Sequence, residues 1–308
     1  MDSDVTTIRN SWQDPTWTIE SLIDSKRGRT VSVVLPALNE EATVAGVVES
    51  IAPLLGTLVD DLVVLDSGSV DATASEARRA GARVVSREQA VPSVAPRPGK
   101  GEVLWRSLAA TDGDFVIFVD SDLVAPSPNF VPYLLGPLLS VGGVQLVKGY
   151  YRRPLRIDGV SMGEGGGRVT ELVARPLLSA LRPELAGILQ PLGGEYGGTR
   201  ELLSSLPFAP GYGVEIGILL DTYHRFGIDA IGQVNLGVRE HRNRTTSELA
   251  VMSRQIMAAM FARLGIDDSA VGLMQFGVDG DPFGGVIAEL MQGDRPPMRQ
   301  IRSENRAS

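Results

Sequence analysis

A chain of 308 residues, 43% hydrophobic and 21% charged, can bury a full core and has the balance of a globular protein with one large domain or two unequal ones. Its net charge of −8 excludes generic attraction to nucleic acid or to an anionic membrane, so any phosphate site must be a local cluster of cations. The lack of cysteine excludes disulfides and thiolate metal sites and suits the cytoplasm, and the acidic start Met1-Asp2-Ser3-Asp4 is not expected to act as a signal peptide.

Residues 1–29 read as a lead-in anchored by Trp12 and Trp17. Residues 31–35, Val-Ser-Val-Val-Leu, predict a first strand, and Pro36-Ala37-Leu38-Asn39-Glu40-Glu41 predict a turn into a helix ending near Ile51. That turn lacks the glycine fingerprint of dinucleotide-binding dehydrogenases. Residues 62–65 predict a second strand, followed by the acidic, hydroxyl-rich turn Asp66-Ser67-Gly68-Ser69-Val70-Asp71-Ala72-Thr73, which suits a base and ribose better than a pyrophosphate. A helix to Ala80 and a short strand over 83–85 complete a second unit, and this alternation predicts a parallel sheet with right-handed crossovers. Arg97-Pro98-Gly99-Lys100-Gly101 is expected to be a mobile loop with one cation between two glycines, leading into a helix over 102–110.

The run Phe115-Val116-Ile117-Phe118-Val119 is apolar throughout, as a strand covered on both faces requires, and it ends in Asp120-Ser121-Asp122. An isolated Asp-x-Asp is more often a polar turn. At the carboxyl end of a parallel strand, where open sheets bind ligands, both carboxylates can address one divalent cation. Three strand ends and Lys100 would then converge on one crevice. Residues 123–147 carry no charge, but Pro126, Pro128, Pro132 and Pro137 with Gly136, Gly142 and Gly143 exclude a continuous membrane-spanning helix. Residues 144–151 predict a strand closing the sheet.

Further on, Gly163-Glu164-Gly165-Gly166-Gly167-Arg168-Val169-Thr170 predicts a loop opening a helix capped by Thr170. It is either an anion-binding nest of backbone N–H groups with Arg168 or a plain surface linker. Residues 191–198 and 210–215 are two further loops rich in glycine and tyrosine, which allow backbone to approach a ligand; the second leads into a helix over 216–226. A strand over 231–238 ends in Arg239-Glu240-His241-Arg242-Asn243-Arg244, a cationic cluster anomalous in an acidic chain. Over 246–264, Leu249, Met252, Ile256, Met260 and Leu264 recur at helical spacing, for core packing or a subunit contact. The polar composition after Gly277 predicts a flexible tail over 276–308.

Six motifs occur in order: Pro-Ala-Leu-Asn-Glu-Glu, Arg-Pro-Gly-Lys-Gly-Glu, Asp-Ser-Asp-Leu, Gly-Gly-Gly-Arg-Val-Thr-Glu-Leu, Ala-Pro-Gly-Tyr-Gly-Val-Glu-Ile-Gly and His-Arg-Asn-Arg. Through them, over about residues 12–275, the chain resembles the glucosyl-3-phosphoglycerate synthases of actinobacteria, retaining glycosyltransferases of the GT-A class. The resemblance implies an α/β fold with a Rossmann-like, mostly parallel central sheet flanked by helices. It divides the chain into a nucleotide-sugar-binding part, 30–150, and a smaller acceptor-binding part, 151–275, which includes the long helix. The implied reaction moves glucose from UDP-glucose to the 2-hydroxyl of 3-phosphoglycerate, towards methylglucose lipopolysaccharides, with Mg2+ or Mn2+ and in a homodimer. Residues 157–164 match the family least.

Carried over motif by motif, Pro36, Ala37, Leu38, Asn39, Glu40, Ser67, Lys100, Asp120 and Ser121 would hold UDP, with Arg239 and Arg244 also at the nucleotide sugar. Asp122 and His241 would ligate the metal, while Tyr212, Gly213, Val214 and Glu215 would face the sugar. Gly167, Arg168, Val169, Thr170 and Asn243 would hold the acceptor. Retention leaves two routes: double displacement through Glu215, or same-face attack shielded by a backbone oxygen such as that of Leu192. We favour the second. A mannosyl-3-phosphoglycerate synthase using GDP-mannose and a non-catalytic nucleotide-sugar-binding protein stay open as alternatives.

Overall fold

Phe115, Ile117 and Val119 belong to one buried apolar cluster and Val116 and Phe118 to another, so alternate residues of one strand feed the cores on the two faces of a sheet. The same division sends Val33 and Leu35 one way and Val34 the other. Each such side chain, fully buried, contributes about 1.5–3 kcal/mol, which is why these strands contain no polar face. The computed structural model describes residues 8–124, 126–152, 154–157, 160–164, 167–238, 245–277, 283–291 and 293–307.

In chain order the elements begin with β1 (Ser11–Trp12), α1 (Ile19–Lys26), β2 (Val31–Ala37), α2 (Val44–Ile51), β3 (Asp61–Asp66), α3 (Thr73–Arg79), β4 (Arg83–Ser86) and α4 (Arg87–Ala90). Next come α5 (Lys100–Ala110), β5 (Phe115–Phe118), α6 (Phe130–Ser140), β6 (Leu146–Arg152), β7 (Pro154–Ile157) and β8 (Val160–Glu164). A π-helical turn (Thr170–Ala174) leads into α7 (Arg175–Leu181), β9 (Tyr196–Thr199), α8 (Arg200–Ser205), α9 (Val214–Phe226), β10 (Ile231–Val238) and α10 (Thr246–Leu264). The hairpin strands β11 (Leu273–Phe276) and β12 (Gly285–Ala288) and a last helix, α11 (Met298–Ala307), follow.

The main sheet runs β1-β10-β6-β9-β5-β2-β3-β4. Strand β9 is antiparallel to both its neighbours, and the remaining pairings are parallel. The predicted parallel sheet is therefore present, with two differences. The strand expected to close the sheet is β6, an interior strand between β10 and β9. Residues 196–199 had the composition of a loop, yet they form β9. Glycine suits the close packing there, because a Cβ on Gly197 would displace the end of the Ile117 side chain. Residues 163 and 164, expected to begin a loop, belong instead to β8, which pairs antiparallel with β7.

The charge-free segment holds α6, 11 residues long, and no helix among the described residues is long and apolar enough to cross a membrane. Trp17 packs where Gly136 of α6 leaves room, and its ring meets Trp12 edge-on at 5.4 Å. The apolar stripe of α10 goes to the core: Ile256 and Met260 are buried, and Leu249, Met252 and Leu264 pack on the same cluster. The segment expected to be a flexible tail differs too. Arg295 bonds Phe208 through its backbone in both directions (3.0 and 2.8 Å), Met298 is fully buried, and Arg302 donates to the Leu108 and Thr111 carbonyls at 2.8 and 2.7 Å. A few well-placed anchors outweigh a polar average.

Candidate active site

The turns after β2 and β3 are laced together. Asn39 N–H donates to Ser69 Oγ (3.0 Å), Val70 N–H to Asn39 Oδ1 (3.0 Å), Glu40 N–H to Thr73 Oγ1 (2.7 Å) and Ala72 N–H to Glu41 Oε2 (2.9 Å). Asn39 takes φ +56°, a conformation that asparagine tolerates better than most residues. Ser67 N–H bonds the Ala37 carbonyl at 2.9 Å, and Ser121 Oγ, buried, donates to the Pro36 carbonyl at 2.6 Å. The ends of β2, β3 and β5 thus form one rigid ledge, from which Leu38 projects, 53% exposed. Much of the hydroxyl and carboxylate chemistry expected to meet a ribose is spent on this lacing.

Lys100, expected in a mobile loop, is instead the first residue of α5, and Gly99 at φ +99° turns the chain into the helix. Its Nζ lies 2.6 Å from Asp120 Oδ1 and 2.8 Å from Glu215 Oε1. Gly101 makes this possible, because a Cβ there would collide with the Ala209 carbonyl, in the segment that leads to Glu215. Glu215 is the second residue of α9 and is buried. Tyr212 N–H donates to Gln255 Oε1 at 3.0 Å, and Gly213 lies against Ala259, so α10 braces the turn behind Val214 and Glu215. Burial alone would lower the Lys100 pKa, but Asp120 and Glu215 outweigh it and hold the ammonium well above its ordinary range.

A second wall comes from residues 190–196. Leu192 lies in a turn in which Gly193 N–H bonds the Gln190 carbonyl at 3.1 Å, and Gly194 lies so close to Asp120 that an added Cβ would overlap its carboxylate. Among the expected acceptor residues, Gly167 has φ +86° and Arg168 is exposed, whereas Val169 and Thr170 are buried. Thr170 lies inside the π-helical turn and does not cap a helix. Arg239, His241, Asn243 and Arg244 lie outside the described residues.

Sequence reasoning missed Lys148, Glu195 and Tyr196, all buried beside this cluster. Lys148 Nζ donates to the Gly193 carbonyl at 2.6 Å and sits 4.4 Å from the Tyr196 ring centroid. Burial drags its pKa down to about 8, and Lys100 adds to that, against the opposing pull of Glu215, Glu195 and Asp120. Burial, then Glu215, pushes the Tyr196 phenol well up. A signal was present: a lysine in the middle of an apolar strand breaks the pattern that defines the strand.

Among the described residues no group of three or more His, Asp or Glu gathers as a closed metal site. Asp122, shortly after β5, offers hard carboxylate oxygens, and Lys100, paired with Asp120 two residues before it, offers a cation that suits a diphosphate. That donor set fits Mg2+ or Mn2+, cations commonly held by one or two carboxylates together with substrate phosphates.

Known proteins resolve the class. The glycosyl transferase family 2 model matches residues 32–152, the stretch carrying the ledge, Lys100 and Asp120 to Asp122. The glucosyl-3-phosphoglycerate synthase of Mycolicibacterium smegmatis is 66% identical over 293 residues, 95% of this chain and 97% of that one. The chain belongs to the glucosyl-3-phosphoglycerate synthase family. The Mycobacterium tuberculosis synthase is 62% identical over 301 residues, 96% of this chain and 93% of its own. A crystal structure of that synthase in complex with Mn2+, UDP-glucose and phosphoglyceric acid matches with a TM-score of 0.88 at 60% identity, covering 95% of this chain and 98% of that one. The expected family and GT-A fold of this synthase relative are therefore established.

Proposed function

We propose that the chain transfers glucose from UDP-glucose to the 2-hydroxyl of 3-phosphoglycerate with retention of configuration, using a divalent cation. The observation that carries this reading is near-full-length identity with a synthase whose structure holds Mn2+, UDP-glucose and phosphoglyceric acid. The geometry around Lys100 supplies the means.

The ledge residues Pro36, Ala37, Leu38, Asn39, Glu40, Ser67, Asp120 and Ser121 hold the nucleotide, mostly through backbone already fixed by the lacing. Asp122, with His241, holds the cation, which when bound withdraws charge from the diphosphate as it departs. Lys100 turns from its two carboxylates to the diphosphate. Glu215 then takes hydrogen bonds from glucose hydroxyls, beside Tyr212 and the backbone of Gly213 and Val214. Gly167, Arg168 and Asn243 meet the phosphate and carboxylate of the acceptor, with the backbone of Val169 and Thr170 rather than their side chains. Arg239 and Arg244 add positive charge to the nucleotide sugar's surroundings.

In the transfer, the bond from C1 of glucose to phosphate oxygen breaks and a bond from C1 to the acceptor oxygen forms on the same face. The acceptor proton goes to the departing phosphate oxygen, and the Leu192 carbonyl shields the charge that develops at C1. Glu215 is engaged with the glucose hydroxyls in this arrangement, which disfavours double displacement through it. A glucosyl adduct trapped on Glu215 would overturn the same-face route.

The test is incubation of the protein with 3-phosphoglycerate, Mg2+ or Mn2+ and each donor in turn, with the product's anomeric configuration read by NMR. Retained glucosyl product from UDP-glucose is expected. Turnover with GDP-mannose alone, or none with any donor, defeats the reading. The proposed substrates carry phosphate charge that keeps them from crossing membranes, and the reading places the chain with them in the cytoplasm.

We also propose a homodimer. The apolar surface available for it is the hairpin of β11 and β12, where Phe276 and Ile287 are 68% and 52% exposed, next to Phe283 at 88%. Phe276→Glu is expected to shift the sedimentation coefficient to that of a monomer.

A further inference from the structure

Lys148 is a buried cation beside the site that the transfer described above does not use. It stands between Val147 and Gly149 on an interior strand, 1% exposed, opposite Tyr196 on β9 and Gln233 on β10. The charged and titratable groups around it are Glu215 from α9, Lys100 from α5, Glu195 and Tyr196 at β9, and Asp120 beyond β5; Gln233 does not titrate. Holding an ammonium in such a place works against stability, since a methionine of similar length would fill the volume without losing hydration. Charges retained at a cost cluster where position matters to function.

The hydrogen bond that Lys148 donates indicates what is positioned. Lys148 Nζ reaches the Gly193 carbonyl, and Gly193 lies between Leu192 and the Gly194 that abuts Asp120. Strand β6 thereby grips the 191–194 turn from beneath, at the residue next to the carbonyl that shields C1. The same ammonium lies within the field of Asp120 and Glu215, so it remains to offset them when Lys100 leaves for the diphosphate.

We propose that Lys148 is a positioning residue for glucosyl transfer, which holds the 191–194 turn against Asp120 through the Gly193 carbonyl and balances the charge of Glu215. This rests on the functional reading above. Lys148→Met is expected to lower kcat about 100-fold, the size of loss that a misplacement of about 1 Å produces. The KM for 3-phosphoglycerate and the thermal stabilisation by UDP with Mn2+ should stay within about twofold. A purely structural lysine would instead leave kcat of the folded fraction intact. Wild-type kcat/KM for the donor should fall as pH rises past about 8, and this limb should be missing in Lys148→Met.

Normal kcat in Lys148→Met overturns the inference alone. Absence of wild-type transfer overturns the functional reading and this inference with it.

Discussion

Lys100 Nζ and Glu215 Oε1 meet at 2.8 Å, although one opens α5 and the other lies in the first turn of α9. The contact joins the part of the chain matched by the family 2 model to the part beyond it. Two glycines permit it, Gly99 through its backbone conformation and Gly101 through its close approach to Ala209. In the proposed reaction the donor thus meets a lysine already charged and already paired, and its binding would exchange two carboxylates for a diphosphate.

That exchange separates two variants. Lys100→Met should weaken UDP binding by about tenfold or more, the worth of one charge-assisted contact. Glu215→Gln should leave UDP affinity equal or improved, because it frees Lys100, while kcat falls by about 100-fold through lost contacts to the sugar. Calorimetric titration with UDP and Mn2+, alongside steady-state kinetics, measures both. Weaker UDP binding in Glu215→Gln would argue against the exchange.

Asp122→Ala should remain folded, since the residue lies beyond β5 and outside both apolar clusters. The variant should lose the extra melting-temperature rise that Mn2+ gives over UDP alone. An unchanged metal-dependent rise would remove Asp122 from the cation site.

Gly194→Ala tests the packing of the second wall. The added methyl overlaps the Asp120 carboxylate, the mobile end of a side chain, so the cost in stability should stay near 1 kcal/mol. Asp120 must swing away from Lys100, and kcat/KM for UDP-glucose should fall at least tenfold, or about 1.4 kcal/mol. Wild-type kinetics in Gly194→Ala would mean that Asp120 has no role in donor binding.

Acid should loosen the anchor of the carboxy-terminal segment. Glu102, buried, accepts from Arg106 Nε at 2.6 Å and from Arg295 Nε at 2.6 Å. Burial would raise its pKa, but Arg295 and Arg106 outweigh burial and hold it below the ordinary 4.5. The stabilisation is therefore full above pH 4.5 and is lost as pH falls through the lower folded value. Glu102→Gln should cost about 3–5 kcal/mol at pH 7, because it strands buried arginine charge. Arg295→Met leaves Arg106 in place and should cost about 1–3 kcal/mol. Urea midpoints at pH 7 and pH 4 check both, with the gap between wild type and Glu102→Gln expected to narrow at the lower pH.

By itself the sequence determined the parallel strands β2, β3 and β5, the meeting of Lys100 with their carboxyl ends and the family, because those depend on local apolar runs and on short contiguous motifs. Tertiary structure decided what no local pattern encodes. Strand β9 was hidden by Gly197 and Gly198, whose value lies in the space they leave for Ile117 and Leu203. The anchoring of Met298 and Arg295 was hidden by the polar average of the tail. The pairing of Lys100 with Glu215 and the burial of Lys148 beneath Gly193 depend on which strands become neighbours, and that is set by packing across the whole sheet. A lysine's charge can be read in a sequence, but whether it is exposed, paired or sealed in a core depends on residues far away in the chain.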